Sequence, residues 1–271
     1  MEWNTSALSA LARCGEAFRR RYIEKEIISP SPRMLRGTVV HAVATQGVLR
    51  KLHGEDLPSV EEAKDLAATE FDATWRGGVS LNQDEVMAGV RMVEAESKDF
   101  AVDLSAFHVE RVAPAIQPVA VERKIIVRPK NSELVIHGTL DLVASTPQGE
   151  AIHDLKTSQK SPNKNAAATS QQLSMYAVLR FAEVGTLPER LTLDYLVRTP
   201  ARLERKHVAL ETTRTVEDVR AMVNRLNKAV EAVQRGVFLP TNPENWWCSR
   251  QWCSYFETCP YVVQGRTRPE S

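Results

Sequence analysis

His137-Gly138-Thr139-Leu140-Asp141-Leu142-Val143, a Pro147-Gln148-Gly149 turn, then Ala151-Ile152-His153-Asp154-Leu155-Lys156-Thr157: these two β-rich runs decide how the chain is read. Each is apolar, and each carries an acid where burial disfavours one. Asp154 and Lys156 are two apart, so on a strand they share a face. With the turn centred on Pro147-Gln148, Asp141 falls opposite Asp154. Facing carboxylates on a hairpin, with Cβ atoms ~5 Å apart, repel. A divalent cation between them converts that repulsion into a site, and a hard ion such as Mg²⁺ or Mn²⁺ suits carboxylates and water. Lys156 then stands beside the ion, able to orient a water or a phosphate. A one-residue slip of register would turn Asp141 to the other face.

The rest of the chain frames this hairpin. Its 271 residues suffice for one large domain or a domain with a helical elaboration. A hydrophobic content of 43% with 25% charged residues is that of a globular protein with a core. No run of about 18 or more apolar residues is long enough for a membrane span. The start, Met1-Glu2-Trp3-Asn4-Thr5-Ser6, lacks a signal-peptide layout, so a cytoplasmic protein is expected. Net charge is +1, which announces no nucleic-acid binder overall. Between Arg13 and Arg36, however, seven basic residues stand against three acids. Such a patch can hold phosphates, or can be a solvated helix face.

Capping and periodicity place a first helix from Thr5 or Ser6 towards Arg20, and Ser29-Pro30-Ser31-Pro32 breaks the chain. Further helices run from about Leu35 to Leu52, from Pro58-Ser59 to Trp75, and from Asn82 or Asp84 to about Leu104. Strands follow over Val119–Val127, Leu134–Ala144 and Ala151–Lys156, then a helix over Ala166–Ala182. Strands over Leu191–Val197 and Leu203–Leu210 and a helix over Thr215–Gln234 complete the order. This is an α/β fold: a mixed sheet core flanked by helices, with a helical N-terminal region and a Cys-rich C-terminal tail. A single domain is expected, with a mostly helical part at 1–110, the core at 115–235 and the tail at 238–262.

Cys248, Cys253 and Cys259 lie in that tail with C-x4-C-x5-C spacing, and Cys14 lies 234 residues before the first of them. A cytoplasmic chain has little use for disulfides. Four thiolates suit an iron–sulfur cluster or zinc, and unligated thiols are the third reading. Zinc ribbons bring two close pairs, whereas this chain brings one cysteine plus three. A closing Cys259-Pro260 is also found in ferredoxin-type runs. Either metal would tie the first helix to the tail. Trp246, Trp247 and Trp252 are expected to pack around that centre rather than to stack on bases.

Taken in order, these pieces resemble the RecB-like branch of the PD-(D/E)XK nucleases, the iron–sulfur exonucleases akin to CRISPR-associated RecB-type nucleases, the AddB nuclease domain and phage exonucleases. The matching segments are the Cys14 helix with Phe18-Arg19-Arg20-Arg21-Tyr22, Gly37-Thr38-Val39-Val40-His41, Gly138-Thr139-Leu140-Asp141, Asp154-Leu155-Lys156-Thr157, Gln172-Leu173-Ser174-Met175-Tyr176, and the three tail cysteines. The resemblance runs from about Ser6 to Pro260 and implies a restriction-endonuclease-like sheet. It implies His41, Asp141, Asp154 and the Leu155 carbonyl as metal ligands, with Asp141, Asp154, Lys156, Gln172 and Tyr176 catalytic. Gln172 and Tyr176, four apart on one helix face, would also meet the DNA backbone, as would Arg19, Arg20 and Arg21. Glu122 is a candidate accessory acid. Cys14, Cys248, Cys253 and Cys259 would bind a [4Fe-4S] cluster, although close relatives space the tail C-x2-C-x5-C.

The implied activity is Mg²⁺- or Mn²⁺-dependent exonucleolytic hydrolysis of single-stranded DNA or DNA ends. The alternative is a catalytically silent DNA-binding or assembly subunit in recombination, repair or CRISPR adaptation. Intact Asp141, Asp154 and Lys156 argue against silence. A redox protein built on the cysteines would leave the acids unexplained. No helicase motif is present, so a helicase, annealing or CRISPR adaptation protein is the expected kind of partner, and oligomers are compatible with the family.

Overall fold

The protein is described from a computed structural model, which covers residues 1–129, 134–200 and 204–262. A two-residue strand, β1 (Glu2–Trp3), leads into α1 (Thr5–Arg13), whose N-cap is Asn4: its side chain accepts from the Ala7 N–H. The helix expected to reach Arg20 stops at Cys14, which is extended (φ −161°, ψ 114°), and restarts as α2 (Gly15–Phe18) and a π-helical turn over Arg19–Ile23. The break has a packing cause. A Cβ on Gly15 would lie 2.4 Å from the Phe238 carbonyl carbon, and the Gly15 N–H donates to the Leu239 carbonyl at 2.8 Å. The chain bends here so that the tail can cross against it.

Three long helices then form one layer: α3 (Pro32–Leu52), α4 (Val60–Arg76) and, after the short α5 (Gln83–Ala88), α6 (Val90–Arg111). Ser31, Ser59 and Asn82 cap α3, α4 and α5 through their side chains, the last in a capping box with Glu85. The single helix expected from Asn82 to Leu104 is two, because Gly89 takes φ 100°, a left-handed conformation that no helix continues. Apolar stripes on α3, α4 and α6 meet over Leu35, Val39, Val43, Phe71, Phe100 and Leu104.

The sheet follows: β2 (Pro118–Val127), β3 (Val135–Thr146), β4 (Gly149–Ser158), then α7 (Gln171–Val184), β5 (Arg190–Arg198), β6 (Arg205–Thr212) and α8 (Val216–Gln234). Six strands run in the order β1-β3-β4-β5-β6, with β2 also paired to β3. The pairs β1–β3 and β4–β5 are parallel and the others antiparallel, a mixed sheet as expected. One face packs on α1, α7 and α8 through Trp3, Phe18, Leu140, Ile152, Leu173 and Leu226. The other receives the helical layer, and alternation along each strand divides the side chains between the two. Central β5 is buried over most of its length, as a strand covered on both faces must be.

Candidate active site

The hairpin register is the one the turn implies: Thr146 pairs Gly149 and Leu142 pairs His153. The ladder ends there, so Asp141 and Asp154 stand opposite each other where β3 and β4 part. β4 continues alongside β5 to Ser158. The Leu155 N–H donates to Asp141 Oδ2 at 3.2 Å, in place of a ladder partner on β3.

Asp154 is 1% exposed and faces α7. The Tyr176 hydroxyl lies 3.1 Å from Asp141 Oδ1 and 3.1 Å from Asp154 Oδ1, while Gln172 Nε2 donates to that hydroxyl at 2.9 Å. A hydroxyl has one proton to give, so it cannot satisfy both carboxylates at once. Lys156 Nζ sits 2.7 Å from Asp154 Oδ2, so this buried oxygen is answered by the ammonium alone. Burial, above all, pushes the Asp154 carboxyl upward, and Asp141 adds to it, while Lys156 and Tyr176 oppose the shift. Burial likewise raises the Tyr176 phenol well above 10, keeping it a donor. Gly138 lets Leu179 of α7 pack close to β3, since a Cβ there would meet Leu179 Cδ1 at 2.6 Å and push that side chain aside.

Helix α3 brings His41 to the same place. His41 Nε2 is 2.9 Å from Asp141 Oδ2, and Nδ1 is 3.6 Å from Glu122 Oε1. The bond to Asp141 raises the His41 pKa, against burial, which lowers it. Thr45, one turn along α3, lies 3.5 Å from His41 Nδ1 and 3.4 Å from Glu122 Oε1. Glu122 adopts φ 50°, a conformation uncommon outside glycine, and it is skipped in the β2–β3 ladder between Val121 and Arg123. One ligand atom from each of His41, Glu122 and Asp141 falls within 4.8 Å of the others. Glu122 thus joins the cluster, while Thr45 had no sequence signal beyond its four-residue spacing from His41. His41, Glu122, Leu155, Lys156 and Thr157 line an open cavity of about 550 Å³ against α3.

The three arginines go elsewhere. Arg19 is held by Glu16 (2.8 and 2.9 Å) and by Glu24. Arg20 is bound by Glu26 at 2.9 Å, donates to Thr258 at 2.8 Å, and stacks 4.4 Å over Tyr255. Arg21 lies 5.5 Å over Tyr22. Arg20 fastens the N-terminal segment to the tail, beside the cysteines. There Cys14 Sγ accepts from the Thr241 N–H at 3.5 Å, and no disulfide joins any two of the four cysteines. Burial is the main cause raising the Cys253 pKa, and Cys14, Cys248 and Cys259 all push the same way, so the four converge. Trp246 and Trp252 depart from the expected packing role, at 58% and 44% exposed, while Trp247 is half-buried.

Behind the site, His153 points to the opposite face of β4 from Asp154. Its Nδ1 lies 2.6 Å from Asp194 Oδ2, and His207 Nε2 lies 2.6 Å from Asp194 Oδ1. Burial would raise Asp194, but the two imidazoles outweigh it and hold the carboxyl at about 2. Nearby His108 is 3% exposed with Nδ1 unpartnered, and burial lowers its pKa to about 4. The unfolded chain takes up this proton near the ordinary value of 6.5, the folded one only near 4. His108 therefore gives its full stability above pH 6.5 and loses about 3 kcal/mol as pH falls towards 4. Denaturant midpoints at pH 7 and 4.5 are expected to differ less in His108→Leu than in wild type; equal differences would contradict this.

A mixed sheet whose diverging strands offer two acids and a lysine to a helix-borne histidine defines a class of phosphodiester-cutting enzymes. The family model of the PD-(D/E)XK nuclease superfamily matches residues 2–260, and the chain belongs to that superfamily. A crystal structure described as a "putative exonuclease" from Eubacterium rectale is similar in fold, with a TM-score of 0.58 at 11% identity, over 100% of this chain and 91% of that one. The crystal structure of SSO0001 aligns more loosely, at TM-score 0.37 and 17% identity, over 62% of this chain and 79% of its own. No curated protein matches the sequence. Among the described residues no helix is long and apolar enough to cross a membrane.

Proposed function

We propose that this nuclease is a Mg²⁺- or Mn²⁺-dependent DNA exonuclease acting on single strands or ends, with His41, Asp141, Asp154 and the Leu155 carbonyl, joined by Glu122, as its metal ligands. The observation that carries the reading is the one-proton hydroxyl of Tyr176 between two carboxylates, Asp141 and the buried Asp154, whose other oxygen faces Lys156 at 2.7 Å. Carboxylates plus one imidazole fit a hard or borderline divalent ion, which relieves their repulsion. When bound, such an ion supplies Lewis-acid polarisation of a phosphate oxygen and a water of lowered pKa.

The chain's own residues do the rest. Lys156 keeps a cation at the mouth of the cavity, where it orients the attacking water and stabilises charge building on the phosphate. Tyr176, fixed by Gln172, holds both acids in place, and Gln172 extends the same helix face towards the DNA backbone. His41 stays beside Asp141 through its contact with that carboxylate, and Glu122 and Thr45 brace its other nitrogen.

The cysteines form a second, structural centre in this reading. One cysteine plus three, closing on Cys259-Pro260, is unlike the two close pairs of a zinc ribbon, and the reading adopted is a [4Fe-4S] cluster.

Exonuclease action is tested with labelled linear and covalently closed circular single strands of the same sequence in Mn²⁺. Degradation of the linear strand alone is expected; equal cutting of the circle would make the enzyme an endonuclease. Cutting of neither, with DNA still bound, would favour a silent assembly subunit.

A further inference from the structure

The tail carries two tryptophans that the cysteine centre does not bury. Trp246 meets Trp247 edge-on at 5.3 Å and Trp252 edge-on at 5.2 Å. Trp247 is anchored, its indole N–H donating to Thr241 Oγ1 at 3.2 Å. Trp246 and Trp252 remain largely in solvent, where a large apolar ring gains nothing from the fold.

What lies next to them gives direction. The Arg33 guanidinium sits 4.9 Å over the Trp252 ring. No carboxylate lies within ion-pair reach of Arg33 among the described residues. Arg33, Gly37 and His41 follow one another at four-residue steps, so they form a row on one face of α3. Gly37 and His41 already line the cavity that holds Lys156. The row therefore runs from the tryptophans to the reacting centre. The eight residue steps from Arg33 to His41 span about 12 Å of helix, the length of about three or four stacked nucleotides at ~3.4 Å each. Arg33 itself lies in the first turn of α3, at its positive end.

We infer that Trp246 and Trp252, with Arg33, form a base-stacking platform that holds single-stranded DNA a few nucleotides from the scissile phosphate. Exposed aromatic rings beside cations are how proteins grip single strands without reading sequence, because every base has a π-face. Paired duplex bases have no free face to offer, so the platform selects single strands. The inference rests on the nuclease reading and deepens it by naming the strand form.

The test compares binding of fluorescein-labelled (dT)15 and a blunt duplex by anisotropy, using the full-length, cluster-loaded protein in Ca²⁺. Trp246→Leu and Trp252→Leu should each weaken (dT)15 about tenfold while changing duplex binding less than about twofold, and Trp246→Phe should restore most of the loss. Arg33→Ala should flatten the salt dependence of (dT)15 binding. Unchanged (dT)15 binding in both Leu variants, or equal losses on both DNAs, would overturn the platform. Failure of the wild type to cut DNA in Mn²⁺ would instead overturn the nuclease reading, and the binding comparison would still stand.

Discussion

Asp154→Asn will stop DNA cleavage while leaving the fold intact. Asparagine keeps the shape of the side chain and an oxygen for Tyr176, and removes the charge that holds a cation and answers Lys156. A rate loss of about 10³-fold or more is expected, the scale seen when preorganised charge is removed from a reacting phosphate or acyl centre. Stability should move the other way. The fold raises the Asp154 pKa, with burial the main cause, so it favours the neutral form. Stability from a raised acid is full below the ordinary value of 3.8 and is lost as pH rises through the folded one. At neutral pH without metal the charged carboxylate thus opposes folding, and asparagine removes that penalty. Melting in EDTA at pH 7.5 is expected at a higher temperature in the variant than in wild type. Lys156→Ala should lose activity on the same scale. Wild-type cleavage rates in Asp154→Asn would contradict the site, and a lower melting temperature would contradict its electrostatics.

Gly15→Ala will part the first helix from the tail. The added Cβ would lie 2.4 Å from Phe238 C, 2.6 Å from Leu239 N and 2.7 Å from Leu239 O, all of them backbone atoms. Backbone cannot swing away as a side-chain tip can, so overpacking here should cost about 3 kcal/mol or more. Cys14 is the next residue, and its convergence with Cys248, Cys253 and Cys259 depends on that crossing. Iron content and visible absorbance of anaerobically purified Gly15→Ala should fall as they do in Cys14→Ser, with a lower melting temperature. Wild-type stability and full iron in Gly15→Ala would show that the crossing does not hold the centre together.

Much of this was legible in the chain because local chemistry set it. The Pro147-Gln148 turn fixed the hairpin register, and with it the meeting of Asp141 and Asp154. The Ser59 and Thr215 caps marked helix starts to within a residue. Other features arise only from tertiary packing. β1 is two residues long and has no period to read; it exists because β3 leaves an edge open at Val135 and Ile136. The break at Cys14 comes from the tail pressing on Gly15, which lies more than two hundred residues away in sequence. Glu122 reads equally as an accessory acid and as an ordinary strand residue, and the left-handed backbone that turns it towards His41 has no signal in the sequence. The tryptophans looked like packing around the cysteines because a compact Cys- and Trp-rich tail has few other places to bury rings. Their exposure depends on how α3 and the tail lie together.

The proposed function requires His41, Asp141, Asp154 and Lys156 to make one metal-dependent nuclease site. The most direct measurement incubates anaerobically purified wild type and Asp154→Ala with end-labelled single-stranded DNA, in Mn²⁺ and in EDTA. Loss of full-length DNA by wild type in Mn²⁺ alone, with none in the other three reactions, is the predicted result. Degradation by Asp154→Ala in Mn²⁺, or by wild type in EDTA, would contradict it.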